Sequence, residues 1–529
     1  MRKLLMASAA VLGASSSLAL AQPIANPAQG QLAAPYGAGP AANNNNNAWG
    51  TANTPSGGAA AGPLSTIYAP NVDKVPAPGT IVIRLNGRVE VDVTANYTSV
   101  DKGVTGTGAP TGFKLNPVGI SSYVRLYPGF DGLAANGLRY GAAVELRENV
   151  SGGTANGSTF ANGTSVGANG LVPSGTATGP STNSSNETVF VRRAFSYLAS
   201  DRAGIVRIGQ TDGVIGLFDN CIFTSQCWDA GTGNFNGGEP LQGIGPGGPS
   251  VPFVWLAQAG AEYGNSKVVY LSPQFFGFDF GVQYAPNEGN SFQNTGNGVG
   301  CNQASASCIN VSSGNDPTRW LNQVGAGLRF QQTFGPVDFK AYGFYETAGK
   351  ENLTTSPYAT TTQARLGTVV GGVAAGAQTL RYNNLGFYKA GVAVTAANFT
   401  LAGDYIGGKV NGQLAEQPTG GANENAILGG LTYANGPITL GVEYGVVESQ
   451  GDARLTGISQ RHEYEFGGGG AYRLAPGIQL VAEYQYEYRH QGGFDFATGT
   501  LGAGGTATAV GRTNDAKAQG FLFSTVLTW

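Results

Sequence analysis

The chain has 529 residues, of which 85 are glycine and only 12% are charged, against roughly 25% charged in an ordinary soluble protein. The net charge of −3 is too mild for a nucleic-acid partner; mean hydropathy is −0.09, and a bundle of membrane helices would need several apolar runs of about 20 residues, which only the extreme N-terminus approaches. The same near-neutral average, with 23 Tyr and 25 Phe, fits a transmembrane β-barrel, which hides its apolar face in every second residue.

Residues 1–21 read as an export signal. Arg2 and Lys3 supply a positive start, Leu4–Leu20 a short apolar stretch, and Ala19-Leu20-Ala21 a small-residue cleavage site before Gln22. The competing reading is a retained N-terminal helix, which the short stretch and its small residues disfavour. Both methionines, Met1 and Met6, fall within the signal. Its removal leaves 27 basic against 32 acidic residues, a net of −5.

Residues 22–78 are rich in Ala, Pro, Gly and Asn, include the run Asn43–Asn47 and carry few charges. Such a stretch buries too little apolar surface to fold alone, so a disordered arm is expected.

Residues 79–529 have period two. Ile83, Leu85, Val89 and Val91 fall on one face, and Arg84, Asn86, Arg88, Glu90 and Asp92 on the other. Leu138, Tyr140, Ala142, Val144 and Leu146 repeat the pattern, as do Leu480, Ala482, Tyr484, Tyr486 and Tyr488 against Glu483, Gln485, Glu487 and Arg489. One face meets lipid and the other water.

Sixteen such segments are expected, starting near Thr80, Val118, Gly137, Glu187, Ala203, Gly260, Phe276, Trp320, Pro336, Thr379, Asn398, Asn423, Pro437, Arg461, Gly477 and Lys517. Eighteen is the alternative, by splitting a loop such as 350–378. Short Gly/Asn/Pro turns such as Phe334-Gly335-Pro336 alternate with long loops at 149–186, 212–259, 287–319 and 350–378. Short turns at one rim and long loops at the other is the outer-membrane barrel arrangement, and closure leaves no strand edge in lipid.

The cysteines form two close pairs, Cys221 with Cys227 and Cys301 with Cys308. In an exported chain this predicts two local disulfides. Zinc is the weaker reading, since no C-x-x-C occurs and the only histidines are His462 and His490. Those histidines lie at strand ends with no catalytic motif around them, so no enzyme, cofactor or metal is expected. Gly467–Gly470 lies within a strand pattern and predicts a close backbone contact.

Three stretches resemble the general diffusion porins of Gram-negative bacteria, most nearly the alphaproteobacterial type. Val191–Leu198 (VRRAFSYL) with Gly204–Gln210 (GIVRIGQ) resembles the hairpin before the porin constriction loop. Asn265–Pro273 (NSKVVYLSP) with Phe276–Tyr284 (FGFDFGVQY) resembles the hairpin after it. The terminus FLFSTVLTW, with Phe521, Phe523 and Trp529, resembles the signal read by the outer-membrane assembly machinery. Residues 287–516 match in pattern only, and the arm has no counterpart.

The resemblance implies a passive outer-membrane channel, a homotrimer, contacts with lipid and lipopolysaccharide, and a third long loop folded into the lumen. That loop is 212–259, with Asp212, Asp219, Asp229 and Glu239. The facing basic wall is expected from Arg88, Arg125 and Arg192, joined by Arg84 and Arg207. Gly264 stands where many relatives carry a further arginine. Opposed charges across a narrow slot order water and favour polar solutes. The plainer reading makes these arginines solvated wall residues and the acids surface charges. Trp320, Tyr488 and Trp529 are candidates for interface girdles. Two readings compete overall: a substrate-selective channel for a sugar or organic anion, which calls for a ladder of lumen aromatics, and a Gly/Asn-rich surface-structural protein, which calls for a fixed repeat.

Overall fold

The computed structural model describes residues 78–99, 102–104, 110–114, 118–149, 190–200, 203–211, 213–215, 266–273, 275–287, 320–350, 383–411, 417–451, 455–475, 477–495, 500–501 and 514–529. The predicted signal and nearly all of the predicted arm lie outside these residues, as do all four cysteines.

The first half of the described chain is built from β1 (Thr80–Thr98), β2 (Lys102–Val104), β3 (Pro110–Lys114), β4 (Val118–Leu133), β5 (Arg139–Asn149), β6 (Phe190–Ser200), β7 (Gly204–Gln210), β8 (Ser266–Leu271), β9 (Phe278–Asn287) and β10 (Trp320–Phe334). The second half comprises β11 (Val337–Lys350), β12 (Leu385–Ala396), β13 (Phe399–Lys409), β14 (Glu424–Asn435), β15 (Ile438–Ser449), β16 (Arg461–Ala475), β17 (Ile478–Gln491), β18 (Phe494–Asp495), β19 (Thr500–Leu501) and β20 (Asp515–Thr528).

Sixteen of these form one closed antiparallel barrel in the order β1, β20, β17 back through β4. Closure is made by β1, which pairs with β4 on one side and with β20 on the other, Val91 lying opposite Ser122 and Thr525. The two small hairpins β2–β3 and β18–β19 belong to long connections and were not expected from the sequence. They are short and lack the alternation that marks the barrel strands.

The alternation sorts side chains as expected. Ile83, Leu85, Val91 and Val93 stand on the outer face while Glu90, Asp92 and Thr94 are buried. Ile83 is 83% exposed, a position that suits a branched aliphatic side chain only where lipid is the solvent. Tyr484, Tyr486 and Tyr488 likewise face away from buried Glu483, Gln485, Glu487 and Arg489.

The tight turns follow local chemistry. β12 and β13 are joined by Ala397 and Asn398, both with positive φ (48° and 72°), as a two-residue type I′ hairpin requires. Gly335 (φ 61°) before Pro336 and Gly436 (φ 58°) before Pro437 place glycine first in the turn, the type II′ arrangement. These turns share one rim with both barrel termini, and the strand ends that the long connections join lie at the other, as expected of the periplasmic and extracellular rims of an outer-membrane barrel.

Candidate functional site

Inward-facing charges divide the described wall into two arcs. From β7 to β12 the buried charged side chains are Arg207, Lys267, Arg329, Lys340 and Lys389 against Asp279 and Glu346. From β13 round to β4 they are Asp404, Glu424, Glu443, Glu463, Glu465, Glu483, Glu487, Glu90, Asp92 and Asp131 against Arg489. In the order of the ring these arcs lie on different sides of the lumen, so a field runs across it.

On the basic arc, strand neighbours in register hold the charges. Arg329 and Asp279 are Cα partners and form a two-pronged pair, Nε to Oδ1 at 3.1 Å and Nη2 to Oδ2 at 2.9 Å. The side chains are 2% and 1% exposed, and the fork geometry offsets part of their desolvation. Lys340 and Lys389 lie 5.9 Å and 5.4 Å from the Tyr342 ring, within cation–π range. Arg207, predicted as a wall residue, is buried on β7 with its guanidinium 5.5 Å from the Phe195 ring.

The acidic arc depends on glycine. Gly467 and Gly469 occupy inward positions of β16, opposite Glu443 of β15 and Glu483 of β17 respectively. A Cβ on Gly467 would lie 2.6 Å from Glu443 Oε1, and one on Gly469 would lie 3.0 Å from Glu483 Cγ. The close backbone contact expected in Gly467–Gly470 is made at Gly469, where a Cβ would run into the Ala482 carbonyl oxygen, while Gly467 makes room for the Glu443 carboxylate. Gln485 donates its Nε2 to Glu465 Oε2 and Glu487 Oε1, each at 2.9 Å. Arg489 pairs with Glu463, and Ser524 donates its hydroxyl to Glu90 Oε1 at 3.0 Å.

The chain that leaves β7 turns inside. Thr211, Val214 and Ile215 are wholly buried. The Val214 amide donates to Gln283 Oε1, and the Thr211 carbonyl accepts from Lys267 Nζ at 3.2 Å. The Val214 methyls sit against Gly281, an inward position of β9. The start of the third long loop therefore lies on the lumen side. Asp212, within this stretch, and Asp219, Asp229 and Glu239, further along the loop, lie outside the described residues.

The predicted basic wall is placed by backbone only. Arg88 on β1 and Arg125 on β4 are direct Cα partners, and Arg84 lies opposite Gly129. Arg192 lies on β6 where the register with β5 shifts: Glu145 pairs with Arg193 and Leu146 with Val191. The alternation changes phase there, with Val191 exposed and Phe195, Tyr197 and Ala199 buried. The side chains of Arg84, Arg88, Arg125 and Arg192 lie outside what is described. The two-arc division was missed from the sequence, although the parity of Lys267, Lys389, Glu443 and Glu465 on their strands carries it.

The last strand faces lipid through Phe521 and Phe523. Trp529 exchanges two backbone hydrogen bonds with Gly87, each 3.2 Å, and its indole fills the space where a Gly87 Cβ would stand. Tyr488 lies at the opposite end of the outer face, its ring 4.9 Å from that of Tyr464. Trp320 begins β10, with its side chain outside the described residues. No group of three or more His, Cys, Asp or Glu is gathered to hold a metal ion among the described residues.

The family model described as Gram-negative porin matches residues 7–493. Among solved structures, an anion-selective porin from Comamonas acidovorans is 13% identical, covers 85% of this chain and 100% of its own, and has a TM-score of 0.46. OmpT of Vibrio cholerae in its trimer form is 13% identical over 85% of this chain and 99% of its own, at a TM-score of 0.40. Salmonella typhi OmpF in complex with daunomycin is 13% identical over 84% and 97%, at a TM-score of 0.43. No curated protein matches.

Proposed function

Since this chain belongs to the Gram-negative porin family, we propose that it forms a water-filled outer-membrane channel for passive diffusion of small hydrophilic solutes and ions, narrowed and charge-sorted by the loop that leaves β7. The family match over residues 7–493 carries this reading. It is supported by the inward turn at Thr211–Ile215 and by the opposed charge arcs of the wall.

In this proposal Asp212, Asp219, Asp229 and Glu239 stand on the constricting loop and face a basic wall that includes Arg84, Arg88, Arg125, Arg192 and Arg207. Ions of each sign then follow opposite sides of the slot, where low-dielectric walls amplify fixed charge. Cleavage after Ala21, the arm at 22–78, bridges Cys221–Cys227 and Cys301–Cys308, and assembly as a homotrimer in lipid and lipopolysaccharide belong to the same proposal. Phe521, Phe523 and Trp529 would present the terminal strand to the assembly machinery.

Purified protein in a planar bilayer under a potassium chloride gradient tests the reading. Stepwise open channels with a reversal potential displaced from zero support it. Absence of any conductance from folded protein overturns it.

A further inference from the structure

The chain has only two histidines, and the fold places them side by side. His462, near the start of β16, and His490, near the end of β17, are Cα partners. Both rings are half-exposed, 51% and 42%, on the outer face at the rim of the long connections. Directly opposed positions on an antiparallel pair bring Cβ atoms to about 4.5–5.5 Å.

Each ring is held from its far side by a carboxylate. His462 Nδ1 lies 3.2 Å from Glu448 Oε1 on β15. His490 Nδ1 lies 2.8 Å from Asp515 Oδ1 on β20. The register runs Glu448, His462, His490, Asp515 across four successive strands. An ionised carboxylate only accepts, so in a neutral ring the proton resides on Nδ1 and Nε2 keeps its lone pair. The two nitrogens of an imidazole point nearly opposite ways. With each Nδ1 taken by a flanking carboxylate, Nε2 is the nitrogen that each ring keeps for a ligand.

We propose that His462 and His490 form a two-nitrogen site for a first-row divalent transition ion on the extracellular rim of the barrel. Carboxylates that fix the tautomer of metal-binding histidines are a recurrent device. Imidazole nitrogen suits Zn²⁺, Ni²⁺ and Cu²⁺, with Cu²⁺ bound most tightly. Water completes the coordination, since the pair supplies two protein nitrogens. Tyr488 steadies the arrangement by donating its hydroxyl to Asp515 Oδ1.

The test uses the full chain folded in detergent micelles and titrated with Cu²⁺ alone. The expected result is one saturable Cu²⁺ per chain whose electron paramagnetic resonance shows two equivalent nitrogens. His462→Asn or His490→Asn weakens binding at least tenfold, and Glu448→Gln with Asp515→Asn weakens it about 10- to 100-fold. Heat-modifiable gel migration shows that each variant has folded; His490→Gln serves if His490→Asn has not. The site is overturned if Cu²⁺ does not saturate at one per chain, or if the double histidine variant binds as tightly as the parent. Conductance of the same preparation separates the two readings, because a conducting channel that binds no Cu²⁺ refutes the site and leaves the channel intact.

Discussion

Val214 lies with its two methyl carbons 2.9 Å and 3.0 Å from the point where Gly281 would carry a Cβ. The first turn of the loop that leaves β7 is thus seated on a wall position that admits no side chain. Replacing Gly281 with Val forces one of them to move, at about 1–3 kcal/mol for overpacking. The loop is the easier to displace, because the wall strand is held on both sides. Single-channel conductance of Gly281→Val is expected to differ from the parent while the barrel still folds. Identical conductance and noise would show that the loop does not limit the pore.

Charge at the constriction is expected to set selectivity. Replacing Arg88 and Arg192 together with Gln should move the reversal potential toward cation preference, and replacing Asp229 and Glu239 should move it the other way. Asp452, in the connection between β15 and β16, should matter only at low salt, where screening beyond about 10 Å is weak. A double arginine variant indistinguishable from the parent, alongside a shifted Asp452 variant, would place the selective region elsewhere.

The buried pair Arg329–Asp279 gives a stability prediction. Asp279→Asn leaves a buried guanidinium without its charge partner, which costs about 3–5 kcal/mol. Replacing both by apolar residues of similar size should recover most of that loss. Urea unfolding in detergent, followed by tryptophan fluorescence, measures both. An Asp279→Asn variant as stable as the parent contradicts the assignment.

Trp529 closes the barrel seam onto β1 through Gly87. Trp529→Ala removes that cover, at less than the roughly 3–5 kcal/mol of emptying a fully buried site, because the ring is 44% exposed. Gly87→Leu should be worse, since the new side chain and the indole compete for one space. The fraction of heat-modifiable barrel recovered from outer membranes is expected to fall in both, more for Gly87→Leu.

Peptide mapping without reductant is expected to recover Cys221 linked to Cys227 and Cys301 linked to Cys308. Free thiols or crossed pairs would remove the proposed stiffening of the third loop.

Most of the architecture was legible in the sequence, because strand alternation and turn chemistry are local. The starts at Thr80, Val118, Trp320 and Arg461 coincide with those expected, and the Gly-Pro turns mark their own positions. The starts expected at Gly260 and Thr379 fall six residues before the observed Ser266 and Leu385, where the approach to the strand is not sharply punctuated. Parity also told that Glu90, Asp92, Glu483, Gln485, Glu487 and Arg489 face the lumen. It could not tell which of them meet. Glu90 accepts from Ser524, 434 residues away, only because β1 closes on β20. Arg329 finds Asp279 across a connection of more than thirty residues, and Glu443 leans into room left by Gly467 on the next strand. The two histidines looked isolated in sequence, each without a motif. Their pairing, with a carboxylate on either flank, is a property of the register across four strands, which depends on every hairpin between them closing without slip.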